Sequence, residues 1–421
     1  MPANAALTSF SLLILRILRI TTNYPSYLED FFAKRPQLGS MSFAEQHAAL
    51  MADASTWADF WSVALAKRGY CASDVVSNAE SVQKAWAREH DIEYANNWVL
   101  DITTEQVIAF QPEILFVNDY VTFSASYLKH LKSVCRSIRL VLGWCGAPYR
   151  DSSVFNEYDV VLSSVPELVQ HFIDQGHSSF LINHAFDPRI LTRIDDTRAV
   201  PVDFAFIGSI TKRQGFHDER EALLLRLLEE TPLQLWVGLD QRSWRLKTNV
   251  RARQLIYDFA HAAKSIGVPE PVFRIGLLGK ASRWNDRPAL PPAIHPQIVR
   301  AAREPVFGRE MFAQLAHSRV TFNSHIDLSE KYASNMRLYE ATGVGSCLLT
   351  DWRPNMPELF EPDTEVVTYR NVEECIEKVN YLLTHEDERQ SISRAGQKRT
   401  LRDHTFDNRA VQLDDLIRSH L

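Results

Sequence analysis

The chain has 421 residues, a length that predicts two or three domains rather than one. Apolar residues make up 45% of it and charged residues 23%, as in soluble globular proteins. A net charge of −6 provides no basic excess for nucleic acid, and the five scattered cysteines argue against a zinc site or a disulfide framework.

The first apolar run, LTSFSLLILRILRI (7–20), is interrupted by Arg16 and Arg19. No charged region precedes it and no small-residue cleavage site follows, so we do not expect a signal peptide. The run is also too short to span a bilayer. We predict that LLILRILRIT forms the first strand and that residues 1–10 form a loose tail.

Apolar runs of strand length alternate with helical patterns along the rest of the chain. The predicted strands are EILFVND (113–119), IRLVLGW (138–144), YDVVLSS (158–164), SFLINH (179–184), DFAFIGS (203–209), LQLWVG (233–238), RVTFNSH (319–325), SCLLTD (346–351) and EVVTY (365–369). The predicted helices cover residues 42–68, 122–135, 165–176, 217–230, 250–265, 308–317 and 371–384. This alternation predicts parallel sheets with right-handed crossovers.

A polar stretch at residues 184–203 separates two groups of strands, and an irregular, proline-rich segment follows at 277–297. We therefore predict an α/β protein with two Rossmann-like, doubly wound parallel-sheet domains that face a cleft. The predicted units are residues 1–187, a linker at 188–202, a second domain at 203–404 and a terminal helix at 405–421. Ligands in such sheets bind at the carboxyl ends of the strands.

The strand DFAFIGS is followed by a glycine–serine turn and a basic loop. Gly208 and Ser209 allow backbone N–H groups to approach a ligand, and Lys212 and Arg213 are placed to neutralise phosphate charge. The alternative is a routine strand-to-helix turn with solvated basic side chains. Neither a P-loop nor a G-x-G-x-x-G pattern is present.

The stretch NMRLYEATGVG (335–345) predicts a helix that begins beside a ligand. Ser334 or Asn335 is a suitable N-cap, and the positive end of the helix suits a diphosphate. Arg337 in the first turn opposes the helix dipole, which is understandable if an anion is also bound. Glu340 can accept hydrogen bonds from two ribose hydroxyls. The alternative is a surface Arg–Glu pair of small energetic value.

From Pro305 onward, the chain resembles the C-terminal half of GT-B glycosyltransferases, and more narrowly the spore-maturation-protein-like (glycosyl transferases group 1) set. The matching stretches are PVFGREMFAQLAHSRVTFNSH (305–325), NMRLYEATGVGSCLLTD (335–351), PELFEPDTEVVTYRN (357–371), YLLTHEDER (381–389) and RDHTFDNRA (402–410), with FIGS (206–209) and NHAFDP (183–188) in the expected places. The resemblance covers about half of the chain.

This resemblance implies that the second domain holds a nucleotide sugar. Glu340 would bind the ribose, Asn335 and Arg337 would face the diphosphate, and the terminal helix would cross back to the first domain. The chain departs from many retaining relatives, which carry two glutamates eight residues apart, because Tyr332 stands eight residues before Glu340 and Glu330 is out of register. The departure puts retention and the identity of the sugar in doubt.

Several residues at predicted strand ends are candidates for the cleft. Asp119 is placed to act as the base that deprotonates an acceptor hydroxyl, and Gly146 lets backbone approach the acceptor. Tyr24 and Tyr27 are placed to stack on a sugar. The alternatives are a helix N-cap, a turn and core packing.

Two histidines also end strands near the cleft. We consider His184 a candidate catalytic residue and His325 a candidate donor-binding residue. The alternative for each is a structural hydrogen-bonding role.

The sequence therefore predicts a glycosyltransferase that moves a sugar from a UDP- or GDP-linked donor to a hydroxyl of a glycan, lipid-linked or protein acceptor. We expect no cofactor and no metal, since no D-x-D triplet is present to hold a cation on a diphosphate. A cytoplasmic location and a role in polysaccharide biosynthesis are expected, with peripheral contact with the inner membrane face left open. The alternatives are a nucleotide-sugar epimerase of the same fold and a non-catalytic binding module.

Overall fold

The computed structural model describes residues 14–147, 149, 151–194, 199–210, 218–239, 244–265, 284, 287–289, 293–325 and 331–421. It contains two six-stranded parallel sheets, one in each half of the chain. Helices flank both sheets. The predicted α/β architecture of two Rossmann-like domains is confirmed.

The first sheet has the strand order β2-β1-β3-β4-β5-β6. Its strands are β1 (Arg16–Thr21), β2 (Cys71–Val76), β3 (Ile114–Val117), β4 (Leu140–Trp144), β5 (Val160–Ser163) and β6 (Ser179–Leu181). The helices of this half are α1 (Pro25–Ala33), α2 (Phe43–Ala52), α3 (Phe60–Ala66), α4 (Glu80–Glu89), α5 (Trp98–Phe110), α6 (Ala125–Val134), α7 (Pro166–Asp174) and α8 (Ile190–Arg193), with 3-10 turns at Pro36–Ser40 and Ser153–Glu157. Every residue of β3, β4 and β5 is buried, as expected for strands covered on both faces.

The second sheet has the order β12-β11-β10-β7-β8-β9. Its strands are β7 (Val202–Ile210), β8 (Leu233–Leu239), β9 (Ala302–Arg303), β10 (Ser318–Asn323), β11 (Cys347–Asp351) and β12 (Val367–Tyr369). Its helices are α9 (Asp218–Glu230), α10 (Trp244–Ser265), α11 (Pro296–Ala301), α12 (Gly308–Ala316), α13 (Arg337–Gly343), α14 (Met356–Leu359), α15 (Val372–Thr384), α16 (Glu386–Asp403) and α17 (Phe406–His420). None of the helices in the described ranges is long and apolar enough to cross a membrane.

The strand order places a reversal of the chain in each sheet. In the first sheet the reversal lies between β1 and β3, and in the second it lies between β7 and β10. Doubly wound sheets bind ligands at such switch points, outside the carboxyl ends of the strands. The fold therefore points to the residues that follow β1, β7 and β10.

The helix predicted over residues 42–68 is wrong as one element, because α2 ends at Ala52 and α3 begins at Phe60. The chain turns between them with Ala54, Thr56 and Ala58 at positive φ. The sequence of this turn resembles a helix because Ala54, Trp57 and Ala58 are apolar. These residues are apolar because they are buried in the core, and not because the turn is helical.

Strand β2 and the short strand β9 were not predicted from the sequence. Strand β2 has the sequence CASDVV, and its Asp74 is buried against Arg19 of β1 with 2.5 Å between Oδ1 and Nε. A buried carboxylate breaks the apolar pattern that identified the other strands. Strand β9 has two residues, too few for any periodicity.

Helix α17 lies against α3 of the first half. Phe406 packs edge-on against Trp61, and the Lys67 ammonium lies 2.7 Å from a carboxylate oxygen of Asp407. Phe186, just after the first sheet, exchanges backbone hydrogen bonds with His404 and Phe406. One continuous apolar core spans both halves, so the two sheets are packed together rather than joined only by a linker.

Candidate functional site

A cavity of about 940 Å³ lies between the two halves, at the carboxyl ends of their sheets. Residues that follow β1 line one side, and residues of β7 and of the segment after β10 line the other. Both switch points therefore open into one space. The volume is within the range typical of small-molecule sites.

Gly208 and Ser209 line the cavity from the carboxyl end of strand β7, which ends at Ile210. A β-carbon on Gly208 would lie 3.0 Å from the Phe206 ring, closer than an ordinary van der Waals contact. A side chain at Gly208 would therefore displace the Phe206 ring or occupy space in the cavity. Lys212 and Arg213, which follow in the sequence, lie outside the described residues.

Arg337 and Glu340 also line this cavity, and they contact each other. The Arg337 Nη1 atom lies 2.8 Å from Glu340 Oε2, and its Nη2 donates to the backbone carbonyl of Ile207 at 3.0 Å. Glu340 is buried and Arg337 is partly buried, so the pair lies in a cavity wall rather than on an open surface. Burial raises the pKa of Glu340 and the Arg337 guanidinium opposes that rise.

Helix α13 begins at Arg337, and its N-cap lies one residue after Asn335 and two residues after Ser334. Met336 is its N-cap and provides no side-chain hydrogen bond, so neither Ser334 nor Asn335 caps it. Asn335 instead donates from Nδ2 to Asn323 Oδ1 at 2.8 Å, which ties the start of the helix to the end of β10. Asn335 still lines the cavity beside Arg337.

The first half contributes Tyr24, Ser26, Ser55 and Thr56 to the cavity wall. The Thr56 hydroxyl donates to Asn23 Oδ1 at 3.1 Å. The turn between α2 and α3 therefore stands beside the segment that follows β1. Sequence reasoning missed Ser55 and Thr56 because they fell inside the predicted helix 42–68.

Tyr27 does not line the cavity and is buried beneath it. Its hydroxyl donates to Asp53 Oδ2 at 3.1 Å, and its ring packs against Phe307, with 5.8 Å between ring centroids. Asp53 also accepts from Arg35 Nη2 at 2.9 Å. Tyr27 thus has a packing role, which is the alternative that the sequence left open.

The Asp119 carboxylate lies outside the cavity and is engaged in a turn. Oδ1 accepts from the backbone N–H groups of Val121 and Thr122 at 2.8 and 2.9 Å, and Oδ2 accepts from the Thr22 hydroxyl at 2.6 Å. The last bond crosses the switch point of the first sheet. These bonds cap a local turn. The N-cap of α6 is Ser124, so the helix N-cap alternative for Asp119 is wrong.

His184 also lies outside the cavity, packed between Trp57 and Trp144 with ring centroids 5.7 and 5.4 Å away. Its Nε2 is 3.1 Å from the Ser164 hydroxyl, and its Nδ1 is buried with no partner in the described part of the chain. Burial lowers the pKa of His184 to about 3, and Arg409 adds to that effect. The imidazole is therefore neutral at physiological pH.

His325 lines a second cavity of about 620 Å³ at the ends of β10, β11 and β12 and does not line the large one. Its Nδ1 and backbone N–H both contact Asp351 Oδ1, at 2.7 and 3.0 Å. Burial alone would raise the pKa of the Asp351 carboxyl, but His325 and Arg353 hold it well below its usual range. Gly146, the remaining acceptor-side candidate, follows β4 and does not line either cavity.

Three other residues of the large cavity had no usable pattern in the sequence. Arg220 donates to the carbonyls of Ser209 and Ser324, so it joins the ends of β7 and β10 from helix α9. Arg303 lies over the Trp236 ring, and the Met311 sulfur contacts Arg337 at 3.4 Å. Each belongs to a different element, so only the folded chain places them together.

A family model described as "Glycosyl transferase-like" matches residues 251–415. A comparison with curated protein sequences finds no match. Among solved structures, the chain is similar to a glycosyltransferase from Rickettsia africae ESF-5, with a TM-score of 0.51 and 9% identity over 97% of this chain and 99% of that one.

Two further structures are similar over nearly their whole length. Anabaena HepE in complex with UDP-glucose has a TM-score of 0.51 and 10% identity over 96% of this chain and 100% of that one. Sucrose-phosphate synthase from Thermosynechococcus elongatus has a TM-score of 0.50 and 10% identity over 96% and 98%. The chain therefore has the GT-B fold, and its residues 251–415 are similar to the glycosyl transferase-like family model.

Proposed function

We propose that this protein is a metal-independent GT-B glycosyltransferase that moves a sugar from a UDP- or GDP-linked donor to an acceptor hydroxyl. The observation that carries the proposal is the convergence of Gly208, Ser209, Arg337 and Glu340 on one cavity at the β7/β10 switch point. In the reaction, the acceptor oxygen replaces the diphosphate oxygen at the anomeric carbon, and its proton leaves through a general base.

The second half offers the groups that a nucleoside diphosphate requires. The backbone at Gly208 and Ser209 permits close approach, and the Arg337 guanidinium is fixed in the wall by Ile207 and Glu340. A preorganised cation at this point would stabilise the charge that develops on the leaving diphosphate. Glu340 would accept hydrogen bonds from the ribose hydroxyls, a role that its position in the cavity wall allows.

The similarity to HepE supports this assignment, because that protein was solved with UDP-glucose. The NMRLYEATGVG motif supports a narrower placement within the spore-maturation-protein-like set, which remains part of the proposal. We retain hexosyl transfer as the activity and Asp119 as the proposed base. For Asp119 to act, its present bonds to the backbone and Thr22 must open when substrate binds.

The test is thermal unfolding of the protein with UDP, GDP and ADP, each in the presence of EDTA. A ligand that binds only the folded state raises the unfolding temperature by mass action. We expect a rise with UDP or GDP that persists in EDTA. No rise with any nucleotide would contradict the donor assignment, and a rise that EDTA abolishes would contradict metal independence.

A second assay separates transfer from epimerisation. Release of free nucleotide from the sugar donor should depend on an added acceptor. Conversion of the donor sugar without acceptor would instead support an epimerase.

A further inference from the structure

The two walls of the large cavity differ in chemistry. On the first-half wall, each residue within the described ranges carries a hydroxyl group and none carries a charge: Tyr24, Ser26, Ser55 and Thr56. On the second-half wall, the charged residues are Arg220, Arg303, Glu304, Arg337 and Glu340. Among the described residues, the positive charges that could bind a diphosphate thus lie only on the second-half wall.

Two of the hydroxyl groups are available to a ligand. Tyr24 is 68% exposed, and neither its hydroxyl nor that of Ser26 makes a hydrogen bond within the described part of the chain. Pro25 between them begins helix α1, so both flank the helix start at the end of β1. An exposed aromatic ring beside hydroxyl donors and acceptors suits a sugar, whose C–H face packs on the ring while its hydroxyls bond at the edge.

The backbone of the turn at Ala54–Ala58 supports a functional role for this wall. Ala54, Thr56 and Ala58 have φ values of 59°, 54° and 37°, a region that L-residues rarely adopt. Such strain persists where the surrounding structure enforces it, and it concentrates at ligand sites. Here the strained turn is the element that presents Ser55 and Thr56 to the cavity.

A polar network holds the same wall in place. Asn78 binds both backbone groups of Asn23, with 2.9 Å to the N–H and 2.7 Å to the carbonyl. Asn23 in turn accepts from Thr56 and directly precedes Tyr24. The positions of Thr56 and Tyr24 are therefore linked through one asparagine pair.

We infer that the acceptor is a neutral saccharide, bound against Tyr24, Ser26 and Thr56; this inference rests on the proposed function. A phosphorylated or uronic-acid acceptor would bring a second anion close to the donor diphosphate, and the described residues of the first-half wall include no cation to offset the repulsion. A neutral sugar avoids that repulsion and satisfies the free hydroxyls. The wall thus selects the charge class of the acceptor.

The experiment uses the 421-residue protein saturated with UDP or GDP, whichever of the two raises its unfolding temperature. A panel of neutral oligosaccharides is compared by saturation-transfer NMR and calorimetry with matched probes that carry a uronate or a phosphate. We expect neutral members to bind and the charged counterparts to bind at least several-fold more weakly. Tighter binding of the charged probes, or no binding by any neutral one, would overturn the inference.

Variants test the wall itself. Tyr24→Ala should weaken binding of the neutral saccharide at least tenfold while the Kd for UDP stays unchanged, whereas Tyr94→Ala, at a tyrosine 40% exposed in the same half, should change neither. Ser26→Lys should shift the preference towards the charged probes. Equal saccharide binding by Tyr24→Ala and the native protein would refute the assignment, while a failure of both UDP and GDP to bind would refute the proposed function instead.

Discussion

Asp53 occupies the space in which a β-carbon on Gly308 would lie. Gly308 has a φ of +51°, and an added β-carbon would meet both the backbone carbonyl and the carboxylate of Asp53 well inside van der Waals contact. The next N–H, from Arg309, donates to the Asp53 carbonyl at 2.8 Å. The turn after α2 therefore docks on the start of α12, and this contact joins the two halves directly beside the cavity.

This contact predicts that Gly308→Ala destabilises the protein and weakens nucleotide binding. The positive φ costs about 1–2 kcal/mol for an L-residue, and the overpacking against Asp53 adds about 1–3 kcal/mol. The free energy of unfolding in urea and the Kd for UDP measure the two effects.

Gly69→Ala is the matched control for this prediction. Gly69 has a φ of +90°, but among the described residues no atom lies within 4 Å of an added β-carbon, so it carries the backbone cost alone. Its expected loss is about 1–2 kcal/mol with unchanged UDP affinity. Equal effects of the two variants would show that the Asp53 contact contributes nothing.

Glu340→Gln should weaken UDP binding by about 1–3 kcal/mol, or about 5- to 150-fold in Kd, the scale of hydrogen bonds to a charged group. Glutamine keeps the shape of the side chain while it removes the charge that pairs with Arg337. Calorimetric titration gives the Kd. Glu377→Gln, at an exposed position on α15, is the control and should bind as the native protein does; an unchanged Kd for Glu340→Gln would remove this residue from the donor site.

Asp414→Ala should destabilise the fold by about 1–3 kcal/mol, because several hydrogen bonds to one carboxylate are lost. Asp414 is buried on α17 and accepts from Tyr70 Oη at 2.7 Å, from Arg68 Nη2 at 2.7 Å and from Arg418 Nε at 2.6 Å. The neighbouring Asp415 is exposed, so Asp415→Ala should change stability by less than about 0.5 kcal/mol. Chemical unfolding measures the free energy of unfolding of both variants. Similar losses of stability in the two would contradict the role of Asp414 in docking α17.

Stability should fall as pH decreases from about 6.5 towards 4. Burial lowers the pKa of His184 to about 3 and that of His404 to about 4, so the unfolded chain binds protons that the folded chain does not. Below its pKa in the unfolded chain, each histidine lowers the free energy of unfolding by up to about 1.4 kcal/mol per pH unit. Above that pKa it does not change the free energy of unfolding.

Unfolding free energies of His184→Gln across this range test the assignment. In the variant, the free energy of unfolding should fall less steeply with decreasing pH, by the equivalent of about one bound proton, because glutamine does not titrate. His130→Gln, at an exposed histidine, should keep the native slope. A native slope in His184→Gln would contradict the assignment.

The α/β class and most of the strands could be predicted from local sequence patterns. Continuous apolar runs such as ILFV and LVLGW are strands because both faces of the sheet are covered, and this requirement acts within a few residues. The motif NMRLYEATGVG likewise predicted a short helix with Arg337 and Glu340 in its first turns, since a spacing of three residues places them on one face.

Which of the candidate residues share a cavity depends on how the distant parts of the chain pack together. Asp119, His184 and His325 all follow strands, yet their partners, Thr22, two tryptophans and Asp351, come from distant parts of the chain and turn each side chain away from the large cavity. Ser55 and Thr56 reach it because a strained turn interrupts an apparent helix. Local pattern specifies elements through short-range backbone preference and burial, whereas a site depends on long-range packing that no single stretch encodes.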